Sequence, residues 1–318
     1  MKKKLNKLAG LVIALFIIFL ILSFLTPTTQ EVVECSDYSI TEDSIVKKIE
    51  GEQFLSHTGY SLSYNEEHEL ASYVSYILTQ DEVYGDVERK DEFREDKSIT
   101  TGSADLNDYK KSGYDRGHLI PAADLKWSTD AMSDSFYLSN MAPQDPTLNR
   151  GMWSSLEAIT RQAAVDNEAI YVVTGPVLTD GPYDTIGKNK VSVPNYFYKV
   201  FLTANGANAI GFILPNDKPE LELTEYACSI DMVENITKLD FFYTLDDEVE
   251  SSIESNYSLN DWTLEEYTSS GEKPKSSIEY NNSGNELIET LELIFYKIKK
   301  EVFDTLNITS IAREFNLI

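Results

Sequence analysis

Three rhythms of hydrophobic and polar positions run along this chain. The first is no rhythm at all: the 18 residues Leu8–Leu25 carry no charge and follow four lysines. As a helix they would span about 27 Å, close to the roughly 30 Å hydrocarbon thickness of a bilayer. A secretory signal core is shorter and ends in a small-x-small site. Here Ser23-Phe24-Leu25 matches that site poorly, and Thr26-Pro27-Thr28 puts a proline inside it. The run therefore predicts an uncleaved transmembrane helix over 8–25, with a cleaved signal as the alternative. A mitochondrial-type presequence is disfavoured by the lack of arginine. Lysines inside and everything after Thr26 outside would make the protein membrane-anchored through 8–25, with its folded part outside the cell, or secreted.

The second rhythm is that of strands. "SYVSYIL" (Ser72–Leu78), "AIYVVTGPVL" (Ala169–Leu178) and "NAIGFILPN" (Asn208–Asn216) are short apolar runs rich in β-branched and aromatic residues. "KVSVPNYFYKVFLT" reads as two strands around a Pro-Asn turn. The third rhythm is helical. In "GMWSSLEAITRQAAVD", Trp153, Leu156, Ile159, Ala163 and Ala164 fall on one face. "NELIETLELIFYKIKKEVFDTL" repeats the pattern through Leu287, Leu291, Ile294, Ile298 and Val302, an amphipathic helix suited to packing on the main body or on a second copy. Strands mixed with one strong helix predict an α+β domain.

Charge and cysteine content narrow the chemistry. The 318 residues carry a formal charge of −26, which opposes broad, non-specific attraction to polyanions. That charge is unevenly spread. Thr101–Arg161 holds six basic and eight acidic residues, whereas Asp246–Glu286 holds eleven acidic residues against two lysines. The second window reads as a linker. Only Cys35 and Cys228 are present, without a Cys-x-x-Cys, and His57, His68 and His118 lack zinc-protease spacing. Structural zinc and zinc-protease chemistry are thereby excluded.

One histidine has chemical company: "YDRGHLIPAADL", Tyr114–Leu125. Downstream lies "FYLSNMAPQDPTLNRGMWSSLE", Phe136–Glu157. Asp-Arg-Gly-His alone is short enough to arise by chance. Followed in order by Ser-Asn…Ala-Pro-Gln and Leu-Asn-Arg…Trp…Leu-Glu, it resembles the signature of the DNA/RNA non-specific endonucleases, the ββα-metal nucleases. Framework segments such as "GYSLSYNEEHELASYVSYILT", "VVTGPVL" and "LDFFYTLDDE" extend the resemblance over about residues 55–247. The expected organisation is a basic cytoplasmic end (1–7), the apolar run (8–25), a stalk (26–54), the nuclease domain (55–247), an acidic linker (248–284) and a C-terminal amphipathic helix region (285–318). The resemblance implies a ββα-metal fold with a central, largely antiparallel sheet flanked by helices.

It also implies roles. A water attacking phosphorus needs a base that titrates near neutrality, which suits imidazole. The resemblance gives that role to His118, and to Asn149 the ligation of a hard cation, Mg²⁺ with Mn²⁺ as a substitute. Glu157 is expected to reach the metal through water. Arg116, two residues from His118, would share its face in an extended segment and bind phosphate; an ion pair with Asp115 is the alternative. Asn140 is expected to orient the base or the phosphate. Arg89 matches the family's further phosphate-binding arginine, with Arg94 competing for the position. Asp115 is expected to order its loop. DNA and RNA would be the substrates, cut with little regard to sugar or sequence to leave 5′-phosphates, and a homo-oligomer could form through the C-terminal helix. Two rivals stand beside this reading: a non-catalytic surface module on the same fold, and a phosphodiesterase for small or lipid substrates.

Overall fold

In the computed structural model, which describes residues 40–41 and 44–266, the apolar runs pair into one antiparallel sheet. Its strands are β1 (Gln53–His57), β2 (Tyr60–Asn65), β3 (Leu70–Thr79), β6 (Ala169–Pro176), β9 (Tyr196–Thr203), β10 (Ala209–Pro215) and β11 (Ala227–Cys228), side by side in that order. Two hairpins lie apart from it: β4 (Asp115–His118) with β5 (Met141–Gln144), and β7 (Asp184–Ile186) with β8 (Val191–Val193). The strands expected from the apolar runs are all present, including the pair β8 and β9 on either side of Pro194-Asn195.

The sheet is buried on both faces, so its central strands read as continuous apolar runs instead of alternating ones. Period-two geometry still sorts the side chains. On β9, Phe197 and Phe201 face one core, with Tyr76, Val172 and Phe212; Tyr198, Val200 and Leu202 face the other, with Tyr73 and Val173. The first core is closed by the helix predicted from the 3.6 rhythm, which spans Met152–Asp166 and buries Trp153, Leu156, Ile159, Ala163 and Ala164. The second is closed by two C-terminal helices, Ile230–Thr237 and Asp247–Glu254, with Phe241, Phe242 and the N-terminal Ile45 and Val46.

Two boundaries differ from expectation. Residues 45–46, assigned to the stalk, are fully enclosed, and Val46 bridges to Phe241. At the other end, the acidic segment folds through Asp247–Glu254, and Trp262 is buried edge-on against Phe201. A few apolar anchors among many carboxylates suffice to dock it, which a net charge count does not reveal. Among the described residues Cys228 is bonded to no other cysteine. The apolar run 8–25, Cys35 and the helix expected over 285–318 lie outside the described residues. Among the described residues no helix is long and apolar enough to cross a membrane.

Candidate active site

The hairpin β4–β5 and the helix that follows place the signature residues together. The register sets Asp115 opposite Gln144, Arg116 opposite Pro143, Gly117 opposite Ala142 and His118 opposite Met141. Gly117 is required by packing: a Cβ there would run into the Gln144 side chain, which is itself fully buried. After β5 the chain makes one turn of helix, α1 (Pro146–Asn149), capped by Asp145, whose carboxylate accepts from the Thr147 amide at 2.7 Å. It then restarts at Gly151 as α2 (Met152–Asp166). Asn149 therefore closes one helix and does not open the one that carries Glu157. The break falls at Gly151, where a Cβ would sit 2.6 Å from the Thr147 carbonyl oxygen.

That break turns Asn149 back towards β4. Its Nδ2 donates to Asp115 Oδ2 at 3.0 Å. A carboxylate only accepts, so this bond fixes which end of the amide faces Asp115 and turns Oδ1 away as an available ligand. Asp115 is held in turn by Arg150, which donates through Nε and Nη2, both at 2.7 Å. Burial pushes the Asp115 carboxyl up, but the bonds from Arg150 and Asn149 more than offset it and hold it below the usual range. The alternative pairing of Asp115 with Arg116 is thus not used. Arg116 is exposed and stacks over the Phe93 ring at 4.0 Å.

His118 is only 8% exposed, and its imidazole is walled by aromatic rings. Phe93 and Phe136 lie 5.7 and 5.3 Å from it, centroid to centroid. Beyond those rings stand two cations, Arg116 over Phe93 and Arg89 over Phe136 at 5.1 Å. Nε2 is buried with no hydrogen-bond partner. Burial first, and then the charges of Arg89 and Arg116, pull its pKa down to about 3, with Asp91 opposing. The ring is neutral at physiological pH and able to accept a proton.

Arg89 and Arg94 are now distinguishable. Arg94 is committed to structure: its Nη1 donates to the Ser133 carbonyl at 2.7 Å, its Nη2 lies 3.5 Å from Asp134 Oδ1, and its guanidinium covers Tyr137 at 4.0 Å. Arg89 makes one exposed ion pair, with Asp91, and its field reaches both His118 and Glu157.

Asn140 works through the backbone beside the base. It is fully buried, and its amide is used by backbone: Oδ1 accepts from the Ile120 amide at 3.0 Å, while Nδ2 donates to the carbonyls of Ile120 (3.0 Å) and Ser135 (2.9 Å). It staples the chain leaving His118. Next to it, Ser139 donates to Asp96 Oδ2 at 2.6 Å, and His57 Nε2 meets the same oxygen at 2.9 Å. This clamp, which sequence spacing does not announce, ties β1 and the Arg89–Arg94 segment to the hairpin.

Glu157 lies above a buried charged network. Arg161 pairs with Asp124 at 2.9 Å, and the Tyr76 hydroxyl donates to the same carboxylate at 3.0 Å. Lys199, fully buried on β9 between Phe197 and Phe201, donates to the Leu119 carbonyl at 3.4 Å and lies 4.9 Å from the Trp153 ring. Burial lowers the Lys199 pKa and raises that of Glu157, and each group's charge partly restores the other. Lys199 was absent from the expected site. Its signal is a lone cation inside an otherwise apolar strand.

Comparison with known proteins decides what this arrangement belongs to. A family model described as DNA/RNA non-specific endonuclease matches residues 43–248. The chain belongs to the DNA/RNA non-specific endonuclease family. It is therefore a nuclease, an enzyme that hydrolyses phosphodiester bonds. Mitochondrial endonuclease G of Homo sapiens is 36% identical over 205 residues, covering 59% of this chain and 69% of that protein. Nuclease C1 of Cunninghamella echinulata var. echinulata is 34% identical over 239 residues, covering 70% and 91%. A chain from a crystal structure of an EndoG/EndoGI complex superposes with a TM-score of 0.56 at 31% identity, over 61% of this chain and 86% of that one. These relatives also correct the placement. The expectation of a membrane-anchored or secreted protein working outside the cell is overturned by similarity to a mitochondrial nuclease.

Proposed function

We propose that this nuclease is a metal-dependent endonuclease that cuts both DNA and RNA with little regard for sugar or sequence, His118 acting as general base. The observation that carries the reading is the neutral imidazole enclosed by Phe93 and Phe136 between Arg89 and Arg116. Two guanidinium groups that are largely free of structural duty form an anion site, and a phosphodiester is the anion this family handles. As the phosphate enters, its charge cancels part of the field from Arg89 and Arg116, so His118 becomes a stronger base when substrate is bound. It then takes the proton of the attacking water.

The oxygen of Asn149, set by Asp115, would hold the metal directly and the carboxylate of Glu157 would meet it through bound water, an oxygen-only set that suits Mg²⁺, with Mn²⁺ as a substitute. When bound, the cation supplies positive charge for the phosphate and the leaving oxygen. Asn140 positions the loop instead of reacting, and Lys199 braces the Leu119 carbonyl next to the base. Arg89 and Arg116 offer charge to phosphate, which every nucleotide carries whatever its sugar or base, and this supports tolerance of both sugars.

The test is a plasmid-nicking and RNA-degradation assay on the purified chain. Cleavage of both substrates in Mg²⁺ that stops on adding EDTA is expected. Intact DNA and RNA across divalent metals would favour the non-catalytic module, and turnover confined to small model diesters would favour the phosphodiesterase.

A further inference from the structure

On the face of the sheet opposite the core that packs against Trp153, two helices meet: α3 (Ile230–Thr237) and α4 (Asp247–Glu254), both packed on β10. The family match ends at residue 248, so nearly all of α4 lies beyond it. At the meeting point, Asp231 and Glu234, one turn apart on α3, face Glu254, the last residue of α4. Each offers a carboxylate oxygen, and the three oxygens lie within 4.8 Å of one another.

Proximity of acids alone would mean little, but Glu254 is not a surface acid. It is 4% exposed, and its Oε1 is buried with no hydrogen-bond partner. The charged groups that face it are Glu234, Glu250, Asp231 and Asp240, all acidic. Lys47, whose charge reaches Glu250, is engaged elsewhere, bonded to Asp240 at 2.8 Å. Glu234 Oε1 accepts the Phe241 amide at 2.7 Å, which fixes that carboxylate in place. Glu254 Oε1 thus faces acidic neighbours with no donor to meet it.

Three carboxylate oxygens within 4.8 Å of one another can converge on one oxygen-preferring divalent cation, and exposed Asp231 leaves a side open for water ligands, which suits the flexible, oxygen-rich coordination of calcium. We propose that Asp231, Glu234 and Glu254 bind a calcium-type divalent cation that fastens α4 onto the nuclease domain, at a site separate from Asn149 and Glu157. The site is structural. It locks the chain's own C-terminal extension to the family fold.

The experiment uses the full chain carrying Asn149→Ala, to weaken the candidate catalytic ligation, stripped with EDTA and titrated calorimetrically with CaCl2. One calcium per chain is expected, together with a rise in Tm of roughly 5–10 °C at hundredfold excess over Kd. Adding Glu254→Gln should abolish both responses while leaving the calcium-free Tm equal or higher, because the repulsion is relieved. If that variant fails to fold, Asp231→Asn, at an exposed position, decides the matter by weakening calcium binding at least about tenfold, since it removes one of three ligands. No calcium uptake by the Asn149→Ala chain, or undiminished uptake after Glu254→Gln or Asp231→Asn, would overturn the proposal.

Discussion

Replacing Asp115 by alanine removes the acceptor that orients Asn149. In the structure Asp115 takes three hydrogen bonds, one from Asn149 Nδ2 at 3.0 Å and two from Arg150 at 2.7 Å each. The Arg150 side chain is 71% exposed, so its pair with Asp115 contributes little by itself. The bond from Asn149 matters more, because without it the amide can present either its oxygen or its NH2 group to an incoming cation. Loss of a hydrogen-bonding partner behind a metal ligand costs about 10–100-fold in metal affinity, or roughly 1.4–2.7 kcal/mol. That is the size of one hydrogen bond to a charged group. Asp115→Ala should therefore raise the half-saturating Mg²⁺ or Mn²⁺ concentration about 10–100-fold and recover much of its rate at high metal. Arg150→Ala leaves the Asn149–Asp115 bond in place and should shift half-saturation less than about threefold, in line with an exposed pair. Metal titration of DNA cleavage, with direct Mn²⁺ binding as a second readout, measures both. Unaltered metal dependence in Asp115→Ala, or equal effects of the two substitutions, would refute the reasoning.

Further outcomes follow from the same geometry. With the free-enzyme pKa of His118 near 3, the acid limb of kcat/KM should fall well below pH 6.5, and the limb of kcat should lie higher because bound phosphate offsets Arg89 and Arg116. Since the folded-state pKa is below the unfolded value of about 6.5, the stability contributed by the neutral ring is complete above that pH and lost as pH falls towards 3; acid denaturation followed by circular dichroism reads this directly. Arg89→Ala should weaken substrate binding with little change in Tm, whereas Arg94→Ala, which strips the Ser133 carbonyl of its donor, should lower Tm. Asp124→Ala leaves Arg161 buried without its partner and should cost about 3–5 kcal/mol in urea denaturation.

The sheet was legible because its central strands are continuous apolar runs, and α2 because its apolar positions recur every three or four residues over four turns. The signature residues lie close in sequence, and Arg116, His118, Asn149 and Glu157 fall on β4, α1 and α2 of one local unit. What eluded the pattern has physical causes. The break at Gly151, which separates Asn149 from α2, depends on one close approach to the Thr147 carbonyl. The part of Asp115 in setting Asn149, and that of Asn140 in stapling the Ile120 backbone, depend on side-chain direction, which spacing does not encode. Lys199 reaches the site across the sheet from a strand distant in sequence. The docking of α4 and Trp262 was hidden by the surrounding charge, because composition averages over the few apolar contacts that hold a segment down.

The most direct test of the central assignment separates the base from the metal ligand. Mn²⁺ binding and DNA cleavage should be measured side by side for His118→Ala and Asn149→Ala. The account predicts that His118→Ala binds Mn²⁺ at the active site like the parent chain yet does not cleave, while Asn149→Ala loses that binding and cleavage together. Retained cleavage in His118→Ala, or undiminished Mn²⁺ binding at that site in Asn149→Ala, would contradict it.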